Sequence, residues 1–119
     1  MKEIINIGGR DEYFKVSAAT AILYRQLFKT DLLTDIGGAS KKDNDIDKAN
    51  DVTDAIQQLA FIMWCEGNYK DDELFQNLTL NKYIAWLLQI DPLEITRAGR
   101  QIISLWRGNF KSNSEIKNA

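Results

Sequence analysis

The spacing of Thr20, Leu23, Tyr24, Leu27 and Phe28 admits one kind of local structure. Positions i, i+3, i+4, i+7 and i+8 fall on one side of a 3.6-residue helix, whereas a strand would scatter them over both faces. Arg25, Gln26 and Lys29 take the opposite side, so this helix has one face to bury and one to wet. Ser17 stands where an N-cap is needed, with a hydroxyl that can accept from an orphan backbone N–H. Such a helix needs partners, and the rest of the chain must supply them.

Upstream, Ile4, Ile5 and Ile7 form a short apolar run, Gly8-Gly9 permit a reversal, and Tyr13-Phe14-Lys15-Val16 return. A β-hairpin is predicted, with a turn extending through Arg10-Asp11. A lone hairpin is marginal in water, so it should lie against the helices.

Downstream, residues 31–36 read as a short turn stopped by Gly37-Gly38. Residues 39–51 are rich in Lys, Asp and Asn, with Ile46 the one large apolar residue, and read as a mobile connector. A second helix is predicted over about 52–66, with Val52, Ala55, Ile56, Leu59, Ile62 and Met63 on one stripe. Phe61 and Trp64 lie on another side, so this helix is either central or half-covered by a partner. Thr79 caps a third helix reaching about Gln89, with Leu80, Tyr83, Ile84 and Leu87 inward and Trp86 near the edge. Asp91-Pro92 supply the N-cap and first position of a fourth, whose stripe is Ile95, Ala98, Gly99, Ile102 and Trp106. Ile103 lies beside that stripe, Phe110 follows two turns after it, and Gly108 ends the helix. The expected fold is α+β, mainly α: an N-terminal β-hairpin packed on a bundle of about four helices. Residues 1–108 form the single domain, and 109–119 read as a disordered polar tail.

Composition narrows the chemistry. The chain of 119 residues has no histidine, which removes the usual general base and the commonest metal ligand. The one cysteine, Cys65, sits in an apolar run and reads as a buried, inert thiol. Neither glycine pair fits a phosphate-binding pattern. Asp43-Asn44-Asp45-Ile46-Asp47 lacks the central glycine of a calcium loop, and its twelfth position is Asp54 in place of glutamate. No enzyme, cofactor or metal site is expected. A net charge of −2 gives no general attraction to nucleic acid or anionic membrane. Arg97, Arg100 and Arg107 would suit a helix-turn-helix, but Asp91 and Glu94 stand at the end that would enter the groove. With no signal-like start and no run of the ~20 apolar residues that a membrane span needs, the expected compartment is the bacterial cytoplasm.

The order of elements has a family likeness. The Ile5-Asn6-Ile7-Gly8-Gly9-Arg10-Asp11-Glu12-Tyr13 hairpin leads into Arg25-x-x-Phe28-x-x-Asp31-Leu32-Leu33. With Gln58-Leu59-Ala60-Phe61-Ile62-Met63-Trp64 and Ile102-Ile103-Ser104-Leu105-Trp106, this resembles the tail assembly chaperones of long-tailed phages and prophages of Gram-positive bacteria. The likeness covers nearly the whole chain and departs at Lys29, where the family has glycine.

The resemblance implies a protein made during tail morphogenesis in the host cytoplasm and absent from the mature virion. It would bind the aggregation-prone tape measure protein until tube subunits polymerise around it. In that family a ribosomal frameshift commonly adds a C-terminal extension that recruits tail tube protein. Self-association is a further open partner. Large apolar residues that the inward stripes leave unclaimed are the expected client surface: Phe61, Trp64, Trp86, Ile103 and Phe110. The alternative is a small prophage interaction module, a regulator or inhibitor, with a helix-turn-helix DNA binder less favoured.

Overall fold

Gly8 and Gly9, with φ of 62° and 84°, reverse the chain in two residues. Positive φ at both central positions is the turn geometry that matches the natural strand twist. Strand β1 (Lys2–Ile7) therefore pairs antiparallel with β2 (Arg10–Lys15), and Arg10 and Asp11 belong to the strand rather than to the expected longer turn. Ile5 lies opposite Glu12, Ile7 opposite Arg10, and Glu3 opposite Phe14, so these six share one face. Burial of Ile5, Ile7 and Phe14 turns that face toward the helices, while Ile4 and Tyr13 form an exposed pair behind it.

The computed structural model describes the backbone of residues 2–40 and 46–118, and the side chains of 2–36, 54–91 and 93–108. Six helices follow the hairpin: α1 (Thr20–Phe28), α2 (Leu32–Ser40), α3 (Ile46–Asn68), α4 (Asp71–Asn77), α5 (Leu80–Leu88) and α6 (Pro92–Asn118). The fold is α+β and mainly α, as the sequence predicts, with six helices in place of about four.

Each extra helix has a physical reason. α2 runs through Gly37 and Gly38 because Leu32 and Ile36 bury one side of it in the core, which outweighs roughly 1 kcal/mol of helix propensity lost at each glycine. α4 is short and polar, and its first turn holds Asp71, Asp72 and Glu73 at the positive end of the helix dipole. Helical backbone in α6 continues past Gly108, where the sequence predicts a stop and a disordered tail. Of the expected connector, 39–40 end α2 and 46–51 begin α3, while 41–45 lie outside the described residues.

Local signals hold at the caps of α5 and α6, whereas at α1 the N-cap is Ala19, without a side-chain cap, in place of the expected Ser17. Ser17 Oγ accepts from the Ala19 N–H at 3.1 Å, and the Ser17 N–H donates to Thr20 Oγ1 at 2.9 Å. That reciprocal pair orders the turn that leads into α1, whose first regular residue is Thr20. Thr79 Oγ1 accepts from Lys82 N–H at α5, and Asp91 Oδ1 from Leu93 N–H at α6.

Helix α3 is the axis of the molecule. Leu59, Ala60, Phe61, Ile62, Met63 and Cys65 are all buried, so apolar residues on every side find cover within the chain. Between a central helix and one half-covered by a partner, α3 is central. α6 buries Ile95, Ala98, Gly99, Ile102 and Trp106, the stripe its spacing predicts. In α1 Leu23 is buried, and Leu27 and Phe28 pack half-buried against the core.

α5 corrects its prediction. Trp86 is buried and Tyr83 and Leu87 are half-buried, whereas Leu80 and Ile84, expected inward, are 54% and 53% exposed. No helix of the described residues is long and apolar enough to cross a membrane.

Candidate functional site

Three of the five sequence-predicted surface residues meet between α3 and α5. The Phe61 and Trp64 rings lie 6.5 Å apart, Phe61 and Trp86 5.6 Å, and Trp64 and Trp86 6.0 Å. The cluster extends through Tyr83 to Phe28 and Tyr24 on one side and to Tyr69 on the other. Most of these pairs are tilted or edge-on, the arrangement that a ring quadrupole favours, and each is worth about 0.5–1.5 kcal/mol beyond its burial. Phe61 and Trp86 thus serve the core first, and Trp64 is the half-exposed member. Ile103 on α6 packs half-buried against the core. The Phe110 side chain lies outside the described residues.

The open side of the cluster is a cleft of about 210 Å³. Phe61, Trp64 and Trp86 line it from below, Arg10 and Glu12 from the hairpin, and Lys82, Ala85 and Gln89 from α5. Trp64 Nε1–H donates to Glu12 at 3.3 Å, tying the hairpin to α3 across the cleft. Sequence reasoning missed Arg10, Glu12 and Lys82. A two-residue turn at Gly8-Gly9 would have revealed the first two, since alternation then puts both on the face of Phe14.

A second apolar feature lies on α5 itself. Leu80, Ile84 and Leu88 follow one another at i, i+4 and i+8, a row about 12 Å long. Leu88 is 82% exposed. Of the nine residues in α5 only Lys82 is charged, which is unusual for a helix with so much surface.

Buried polar groups elsewhere are paired and hold the frame. Glu66 accepts from Ser17 Oγ at 2.8 Å and from Thr20 Oγ1 at 2.7 Å, joining α1 to α3. Burial raises the Glu66 carboxyl above its ordinary range, and the two hydroxyls and Lys15 pull it partly back. Tyr24 Oη lies 2.8 Å from Asp35 Oδ2 and 2.7 Å from Gln58 Oε1. Its single proton serves one of them at a time, and turning the Gln58 amide lets its NH2 donate in return. Burial pushes the Cys65 thiol up to about 12, so it stays protonated and unreactive. Among the described residues no group of three or more Cys, Asp or Glu is placed to hold a metal ion.

Comparison with known proteins returns no match: no family model, curated protein or solved structure is significantly similar to this chain.

Proposed function

We propose that this chain is a tail assembly chaperone of a long-tailed phage or prophage. It binds the tape measure protein in the host cytoplasm, keeps it soluble while tube subunits assemble, and is absent from the mature virion. The observation that carries this reading is the exposed row of Leu80, Ile84 and Leu88 on α5. A chaperone for apolar helices needs apolar surface of its own, and a straight i, i+4, i+8 ridge fits the groove of another helix. The Arg25-x-x-Phe28-x-x-Asp31-Leu32-Leu33 likeness adds to it. Those residues form the α1–α2 corner, where Phe28 meets Tyr24 at a tilt and Tyr83 edge-on and Leu32 is fully buried.

Co-expression with the longest helix-rich tail protein of the same gene cluster tests the reading. The client should be soluble and co-elute on gel filtration only when this chain is present. Binding driven by apolar burial should resist moderate salt, unlike phosphate contacts. Ile84→Asp and Leu88→Asp, both on exposed positions, should weaken the complex without unfolding the chaperone. Equal client solubility with and without this chain would sink the proposal; stable capture of a transcription or host factor instead would favour the regulator alternative.

A further inference from the structure

The cleft over Trp64 and Trp86 carries charge that a structural hollow does not need. Arg10 and Glu12 alternate with Phe14 on the hairpin face that turns toward the helices, where apolar residues are the rule. Glu12 has its partner in Trp64 Nε1–H. Arg10 and Lys82 line the same cavity, both exposed, and among the described residues neither side chain makes an ion pair or a hydrogen bond. Arg10 also borders the neighbouring hollow with Asp91 and Glu94, yet the Glu94 carboxylate pairs with Arg97 at 3.1 Å.

We propose that the cleft is an anchor site for a large apolar side chain carried next to a carboxylate on a partner protein. The inference rests on the reading that this chain binds a helical client, and it specifies the residue pair held: Phe or a similar side chain beside Glu or Asp. A volume of about 210 Å³ suits one such side chain and not a whole helix. The ring would lie on the half-exposed Trp64, with the small open edge of Trp86 at its side, and the carboxylate would sit between Arg10 and Lys82. Charge complementarity picks this occupant over a neutral or basic one, because the two cations Arg10 and Lys82 outnumber the one carboxylate, Glu12, and leave the cleft one positive charge in excess.

The test uses the full chain labelled with 15N, whose Trp64, Trp86 and Trp106 indole N–H signals report separately. The probes are N-acetyl-Phe-Glu-amide and its Phe-Gln and Phe-Lys counterparts. The Glu probe should shift Trp64 and Trp86 saturably, leave Trp106 in place, and bind about tenfold tighter than the Gln probe. Arg10→Gln and Lys82→Gln should abolish the preference for Glu while leaving the Gln probe unchanged, and Lys82→Glu should turn the preference toward Lys. Equal affinity for all three probes, or no shift at Trp64 and Trp86 at millimolar probe, overturns the assignment. So do indole shifts that follow protein concentration without probe, which would give the cleft to a second copy. Client solubility in co-expression is read independently. A soluble client with no probe preference removes only the anchor site, whereas a probe preference with an insoluble client removes only the chaperone reading.

Discussion

Gly67 and Tyr13 meet backbone to backbone: a Cβ on Gly67 would stand 2.6 Å from the Tyr13 carbonyl oxygen and 2.8 Å from its carbon. Asn68 Nδ2–H donates to the same carbonyl at 2.9 Å, so the end of α3 grips β2 by close approach and by hydrogen bond together. This contact sets how near the hairpin comes to the helix, and hence the width of the cleft between Glu12 and Trp64.

Gly67→Ala should therefore destabilise the protein by at least about 2 kcal/mol, because the neighbour is backbone and cannot rotate away. Gly99→Ala is the control. Its Cβ would sit 3.5 Å from Ile56 Cγ2, an ordinary contact, and the helix should gain about 0.5–1 kcal/mol. Urea denaturation of the two variants should move the midpoints in opposite directions; equal midpoints would mean that the hairpin is not docked on Gly67.

Lys29 closes α1 in the left-handed region, with φ of 64° and its N–H donating to Arg25 O. A side chain there costs roughly 1 kcal/mol, which glycine escapes. Lys29→Gly should raise stability by a few tenths to about 1 kcal/mol after the flexibility it adds to the unfolded chain. Lys29→Val should lower it. Thermal melts that rank Val above Gly would contradict the cap.

Tyr24→Phe keeps the ring against Phe28 but removes the hydroxyl shared by Asp35 and Gln58. Leaving those groups short of a partner should cost about 1–3 kcal/mol. Asp35 retains its bond from Thr30 Oγ1, so the double variant Tyr24→Phe with Thr30→Val should lose more than the sum of the single changes.

Glu66 gives stability a pH dependence with a defined sign. Its folded pKa lies above the unfolded one, so in the window between them the native state binds more protons than the unfolded chain. This contribution is fully present below the unfolded value of about 4.3 and is lost as pH rises through the folded value. Glu66→Gln should flatten that part of the profile, measured as denaturation midpoint against pH. An unchanged slope would place the titration elsewhere.

Cys65 should resist a thiol reagent in the native state and react at once in denaturant, since the thiol is fully buried and pushed up to about 12. Reaction at the native rate of an exposed thiol would mean that α3 opens readily around it.

The sequence alone determined what depends on neighbours along the chain. Gly8-Gly9 set the reversal, Thr79 and Asp91 set helix starts, and the apolar period of α6 named its buried stripe, because each effect acts within one turn or one hairpin. α5 was different. Leu80, Tyr83, Ile84, Trp86, Leu87 and Leu88 leave only Asn81, Lys82 and Ala85 to mark a wet side, so periodicity could not say which apolar arc goes in. Tertiary packing decided it: Phe61 and Trp64 on α3 offer aromatic faces that Trp86 and Tyr83 complete, and the row of Leu80, Ile84 and Leu88 is left outside. The cleft followed from the same choice, since Arg10, Trp64 and Lys82 lie far apart in sequence and share a cavity only because the hairpin and α5 both pack beside α3.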